Sequence, residues 1–435
     1  MVGAARVIRA DRSQLRWDMI DLEGLLPSDH RARIVWRFVE SLDLSRFYAV
    51  IKSREGDAGR PAADPAVLLA LWLYATIEGV GSARELDRLA ERDLAYRWLA
   101  GGIALNYHGL ADFRVDHMEA LDRLLSESVT ALIAEGLVSL DEITIDGTKV
   151  RAHASRDSFK TGGHLARIEA AVDERLAALK AELASDPAAG SLRRRAARER
   201  AERMVKERAA KARAAFEKVQ AEKEERARTH AKDEAKKKPS KAKASLSDPQ
   251  ARMMRFHDGA IRPAYNAQIA AAAKEGIIVS IDMTDRRNDA GLAGPMVDDI
   301  VRRYGKTPKT LLVDTNYATS EDIAALAQHA AGPVTVFAPP PVEGENVKPE
   351  TRVRRARARE LEPDSLKAWR ARMASQEGQT IYRRRKLIEL INAHRKNRGF
   401  GFIPVRGRLK AQAVALIHAL AHNLMAAHRL RPQHA

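Results

Sequence analysis

The 435-residue chain has no cysteine, which excludes disulfides, thiol nucleophiles and Cys-ligated zinc. It also lacks a long hydrophobic run. The most apolar stretch, AVLLALWLYATI from Ala66 to Ile77, is shorter than the ~20 residues that span a bilayer and reads as a core helix. The N-terminal MVGAARVIRADRSQ has no apolar segment of the signal-peptide kind. These absences lead to the expectation of a soluble cytoplasmic protein without a membrane partner. Acid is scarce relative to base: 58 Asp and Glu stand against 75 Lys and Arg, a net charge of +17. A surplus of that size concentrates polyanions and by itself favours nucleic acid or an anionic membrane as partner. The length allows two to three domains with cores of ordinary size.

Residues 1–139 read as helical. SARE, Ser82 to Glu85, has the form of a capping box. Leu121, Leu124, Leu125, Val129, Leu132 and Ile133 recur at helical spacing, with Gly136 placed to end the helix. A DNA-binding module and a plain helical bundle fit this region equally well. Extended chain begins at LDEITIDGTKV, Leu140 to Val150. Residues 161–250 then turn to Ala, Glu, Lys and Arg with almost no aromatics. Between Ser191 and Ser245 there are 20 Lys and Arg against 9 Asp and Glu. The expectation is a basic helical insertion, a hairpin broken near SDPAAGS and ending in a flexible linker, KKKPSKAKAS.

Strand signals return in PAYNAQIAAAA and GIIVSIDMTD, which suit an antiparallel hairpin. A helix over 291–304, the wholly apolar strand KTLLVD, a helix from Ser320 and the strand PVTVF follow. The resulting fold class is α/β (α+β), a mixed sheet flanked by helices and built from 140–160 and 251–430.

Three acids stand out. Asp146 is expected at the end of the first strand and Asp314 at the end of LLVD, where open α/β sheets place their sites. Each also has a plain reading, a DG turn or a helix cap. Glu389 is the lone acid among seven Lys and Arg in IYRRRKLIELINAHRKNRG. On a helix at ~100° per residue, Tyr382, Arg385, Glu389 and Lys396 form one stripe, with Leu387, Ile388, Leu390 and Ile391 opposite. Pairing of Arg385 with Glu389 at i,i+4 is the plain account of that stripe. Two Asp and a Glu meeting in a basic groove would instead suit paired Mg²⁺ ions. Asp282, Asp285 and Asp289 are explained more simply by turns and caps, although Asn288 and Asp289 can support the site. His418 and His422 are expected to line a C-terminal helix with Val414, Ile417 and Leu424 inward. Trp98 is a candidate DNA contact.

The spacing of Tyr382, Arg385, Glu389 and Lys396 resembles the signature around the catalytic Glu of DDE-type transposases of bacterial insertion sequences. TIDGTKV, LLVDTNYAT, TDRRNDAGL and GRPAADPAVLLALWLYATIEGVGSARELDRLAERD are similar to other segments of that family. The resemblance implies an RNase H-like catalytic domain, with Asp146, Asp314 and Glu389 as catalytic metal ligands for two Mg²⁺ ions, or Mn²⁺ in their place. It implies phosphate contacts from Tyr382, Arg385 and Lys396, and terminal inverted repeats and target DNA as partners. It further implies a homodimer in the synaptic complex, association with the nucleoid, and a DNA-binding role for 1–139. The insertion separates Asp314 from Asp146 by 168 positions. A non-catalytic DNA-binding descendant and a sequence-independent nuclease of the same fold are the alternatives.

Overall fold

Buried apolar stripes and side-chain caps define the helical N-terminal region. The computed structural model describes residues 21–53, 61–185, 192–230, 242–341 and 349–431. It begins with α1 (Arg31–Glu40), α2 (Ser45–Ala49), α3 (Pro65–Ile77), α4 (Ala83–Arg92), α5 (Leu94–Ala100), α6 (Tyr107–Asp116) and α7 (Met118–Ala134). α3 is apolar on every side and sits at the centre of this region, as such a helix must. Asp64 caps it and Pro65 takes the first helical turn, where a missing amide costs nothing. Half of the expected capping box forms. Ser82 accepts from the Glu85 amide at 3.4 Å, while the Glu85 carboxylate pairs with Arg88 instead. Gly136 ends α7 at φ +73°, a conformation open to glycine. Trp98 is taken up by packing: it lies edge-on to Trp36 beneath Arg33, and its indole donates to Glu23 at 3.2 Å.

The sheet is assembled from β1 (Glu142–Arg151), β4 (Arg252–Arg255), β5 (Ile261–Ala272), β6 (Ile278–Thr284), β7 (Thr310–Leu312) and β8 (Thr335–Phe337). Two short strands, β2 (Phe159–Lys160) and β3 (Ala244–Ser245), pair separately. The main order is β6-β5-β1-β7-β8, with β4 on the same edge of β5 as β6. β1, β5 and β6 run antiparallel, and β7 and β8 run parallel to β1. The parallel strands are reached through α10 (Ala293–Tyr304) and α11 (Ser320–Ala327). This is the RNase H-like mixed sheet, and the hairpin, both helices and the buried LLV strand fall where the residue pattern put them.

Asp146 is not at a strand end. β1 continues to Arg151 because β5 pairs with it along its full length, from Ile143↔Ala272 to Arg151↔Ala264. The DG pair is therefore mid-strand and makes no turn.

Two helices fill the insertion, α8 (Gly162–Ser185) and α9 (Leu192–His230). They pack antiparallel, with Arg175–Glu202, Lys206–Asp173 and Arg213–Glu169 pairs across a seam of Leu165, Val172, Ala209 and Ala212. Buried Arg252 ties α9 to the sheet by pairing with Glu222 and Asp285, both at 3.0 Å. Of the expected flexible linker, residues 236–241 lie outside the described residues. The remainder is not a loose tail, because Ala242, Ala244 and Ser245 are buried and two of them form β3.

The C-terminal α16 (Arg408–Leu430) seals the outer edge of β6. Gln412 donates to Ile281 O and accepts from Met283 N, and Asn423 does the same with the two backbone groups of Ile278, all at 2.7–2.8 Å. Two side-chain amides thus stand in for a neighbouring strand, which closes an edge that would otherwise be open. Val414, Ile417 and Leu424 face inward as expected. His422 Nε2 lies 2.9 Å from Gly276 O, and burial holds its pKa down at about 4. A depressed histidine stabilises the fold above its ordinary value, and the contribution disappears as pH falls through the folded value. Urea unfolding of wild type and His422→Gln therefore has an expected pattern. The stability of wild type relative to the variant is expected to fall by up to about 3 kcal/mol as pH drops from 6.5 toward 4. A constant gap would contradict this account.

Candidate active site

The acids are positioned by strand register. β1 and β7 pair from Glu142↔Thr310 to Thr144↔Leu312. Asp146 and Asp314 each lie two residues past the last pair, so neighbouring parallel strands deliver both carboxylates at the same level. The third element is α15 (Lys386–Arg395), reached through α12 (Pro349–Glu360), α13 (Asp364–Ala374) and α14 (Gln376–Tyr382).

The single regular helix expected from Tyr382 to Lys396 does not form. α14 ends at Tyr382, Arg383–Arg385 make a tighter 3₁₀ turn, and a wider turn over Lys396–Phe400 follows α15. Within α15, Ile388, Ile391, Asn392 and Arg395 point inward at i, i+3, i+4, i+7 spacing, while Leu390 is 50% exposed.

Asp146 is held from α15 by two donors. Arg385 Nη2 donates to Oδ1 at 3.0 Å and Asn392 Nδ2 donates to Oδ2 at 2.8 Å. The same guanidinium reaches Glu389 Oε1 through Nη1 at 2.6 Å. Burial pushes the Asp146 pKa up to about 6, opposed by Arg385 and reinforced by the like charges of Asp314 and Asp289. Glu389 remains 58% exposed. It is not without a counter-ion, since Arg385 is its partner at i,i+4. Arg384 also has an acidic partner, Glu142 at the start of β1, at 2.7 Å. The structure thus joins Asp146, Arg385 and Glu389 directly and sets Asp314 beside them. Tyr382 is half-buried nearby, its pKa raised mainly by burial. Lys396 is exposed, and no hydrogen bond or ion pair among the described residues links it to the acids.

A second layer lies on the opposite face of the sheet. Asp289 accepts from Asn266 at 2.7 Å and Gln268 at 2.8 Å, and Gln268 in turn accepts from the Tyr317 hydroxyl. Gln268 is the register partner of Gly147. A Cβ built on Gly147 would meet Asp289 Oδ1 at 2.3 Å and Gln268 Nε2 at 2.7 Å. The glycine beside Asp146 is therefore required by close approach of this network, and Asp289 does more than cap a helix. The other two acids of that segment behave differently. Asp285 pairs with Arg252 and Lys218, and Asp282 lies 3.9 Å from Arg408.

The donor set of Asp146, Asp314 and Glu389 is all oxygen, which suits a hard divalent cation. The Arg385 guanidinium already places positive charge between two of them, so cation and guanidinium compete for the same carboxylates. No group of three acids or histidines among the described residues forms a ready-made metal cage.

A family model described as Transposase DDE domain matches residues 247–425, and one described as Transposase domain (DUF772) matches residues 20–116. The chain belongs to the DDE-type transposases of insertion sequences. Its role is DNA transposition, DNA is its partner, and the family draws on divalent metal ions. The DDE match contains Asp314, Tyr382, Arg385, Glu389 and Lys396 of this transposase, whereas Asp146 precedes it on the far side of the helical arm. No curated protein and no solved structure matches the chain. No described helix is long and apolar enough to cross a membrane.

Gly147→Ala is expected to destabilise the transposase by about 1–3 kcal/mol, the usual cost of overpacking. Asp289→Ala in the same chain is expected to recover part of that loss. Thermal denaturation of both single variants and the double variant gives the coupling, and strictly additive losses would contradict the contact.

Proposed function

We propose that this transposase cuts DNA at the ends of its insertion sequence by metal-dependent hydrolysis and transfers the freed 3′-hydroxyl into target DNA. The observation that supports this most is the common register offset of Asp146 and Asp314, with α15 held across them by Arg385 and Asn392. Asp146, Asp314 and Glu389 would hold two Mg²⁺ ions, or Mn²⁺. Such a pair, when bound, activates the attacking oxygen and stabilises the leaving oxygen of a phosphodiester.

The remaining functions belong to the protein's own side chains. Asn392 holds the Asp146 carboxylate in one orientation, so its oxygens are presented without a search among rotamers. Arg385 has a planar fork of donors that matches a phosphate as well as it matches carboxylates. Arriving DNA can therefore draw it away from Asp146 and Glu389 while it stays fully bonded. Tyr382 and Lys396 would add contacts to phosphates near the cleaved end. Residues 1–139 would bind the terminal repeats, 140–160 with 251–430 would form the catalytic domain, and 161–250 the inserted arm. Bringing two ends together calls for a homodimer.

One observation favours a different reading. Arg385 bridging Asp146 and Glu389 could serve as a permanent substitute for metal in a protein that only binds DNA. A labelled duplex of the DNA flanking the gene, scored for binding and cleavage with Mg²⁺ or Mn²⁺, separates the two. The catalytic reading expects wild type to cut, and Asp146→Asn and Glu389→Gln to bind as tightly while cutting about a thousandfold more slowly, as the loss of several kcal/mol of metal assistance requires. Binding without cleavage by wild type would leave only the binding reading.

A further inference from the structure

A second cleft, of about 790 Å³, lies between the N-terminal helices and the segment that follows α15. Arg84, Tyr107 and Arg114 line one side, and His153, Arg398 and Phe402 line the other. No Asp or Glu is among its described lining residues. Three other clefts among the described residues carry acid, for example Glu127 and Glu135 in one and Asp248 and Asp285 in another. Its charged lining residues are Arg84, Arg114 and Arg398, set among apolar and aromatic side chains.

Its cations lack carboxylate partners where they most need them. Arg114 is only 6% exposed. Its guanidinium lies over Trp72 and Nη1 donates to Gly81 O at 2.6 Å, but Nε has no partner. Behind the wall Arg395 is 1% exposed, and none of its three nitrogens has a hydrogen-bond partner. It rests 3.7 Å above the Phe400 ring, which in turn packs on His418 of the cleft lining. Glu78 acts on Arg398 through space but is paired with Arg31 at 3.5 Å. Burying unpaired guanidinium groups together is costly, and an anion in the cleft relieves it.

Rings lie between these cations, Phe402 exposed and Tyr107 half-buried. Phe402 is 40% exposed and edge-on to His153, and Arg84 lies over Tyr107 at 4.9 Å. Cationic groups alternating with accessible rings form a surface on which nucleic-acid strands lie, phosphates on the cations and bases on the rings. β1 connects this surface to the active site. Arg151, whose guanidinium faces Phe402, is five residues beyond Asp146, roughly 17 Å at ~3.3 Å per residue.

We propose that this cleft holds a stretch of DNA strand about five nucleotides from the cleaved phosphate, Arg84 and Arg114 meeting a backbone phosphate and Tyr107 and Phe402 offering their rings to a base. The inference rests on the transposase reading and adds to it a sequence-independent grip formed jointly by the N-terminal helices and the catalytic half.

The test measures binding alone, with full-length protein in EDTA and fluorescence anisotropy of a labelled duplex of flanking DNA. Arg84 is exposed and Tyr107 packs on the edge of the core, so Arg84→Gln/Tyr107→Leu, which keeps an apolar side chain there, is expected to melt close to wild type. Its affinity should fall about tenfold, the scale of a lost base–ring contact. Its plot of log affinity against log salt should become shallower by about one unit, as loss of one phosphate contact requires. Arg88→Gln, also on α4 but paired with Glu85 outside the cleft, should change neither. As a second readout, bromodeoxyuridine placed about five nucleotides from the cleaved position, ~17 Å at ~3.4 Å per nucleotide, should crosslink to Tyr107 or Phe402. Wild-type affinity and slope in the double variant, or crosslinks confined to other segments, would overturn the inference and leave the transposase reading standing. If wild type itself bound no DNA, both would fall.

Discussion

The largely buried carboxylate of Asp146 is the constraint on which the candidate active site depends. Left alone on a central strand it would be an uncompensated charge, and burial does push its pKa up to about 6. Arg385 and Asn392 make it tolerable as a carboxylate, and in doing so they dock α15 onto β1. The bond that stabilises the acid therefore also delivers Glu389. Because Arg385 bonds both acids, one side chain sets the relative placement of groups 243 positions apart in sequence. The opposite face is equally constrained, since Gly147 admits Asp289 and Gln268 only by having no side chain.

Much of the fold was legible because it is written in local patterns. Apolar periodicity marked α7 and α16, and short apolar runs marked β5 to β8. The order of strands and helices, with an inserted basic arm, needed no long-range information. The approximate placement of Asp314 was legible for the same reason, since a wholly apolar strand ends there. Asp146 was identified but misplaced. DG has a strong local preference for turns, and the pairing of β5 along all of β1 overrides it.

The less legible features all depend on distant partners. Glu389 read as a lone acid in a cationic segment because Glu142 and Asp146, its fellow acids in space, lie on β1. Asn392 could have been found from the sequence, since it is a polar residue on the Ile388–Ile391–Arg395 face. Counting Leu390 as an inward residue hid that face. Asp289 and Gly147 are linked only through the sheet, and Arg395 gives no sign in sequence that its guanidinium is buried without hydrogen bonds. The same distinction runs through the insertion, whose antiparallel helices follow from composition and whose anchoring by Arg252 does not.

Whether Asp146, Asp314 and Glu389 gather a divalent cation is tested most directly by iron-mediated backbone cleavage. Fe²⁺ replaces Mg²⁺ in the full-length protein, and ascorbate with peroxide generates hydroxyl radicals at the bound ion. Cuts are expected in β1 around Asp146, just after β7 around Asp314 and in α15 around Glu389, and all three should disappear together in Asp146→Asn. Cuts confined to other segments, or an unchanged pattern in Asp146→Asn, would contradict the assignment of these acids as one metal site.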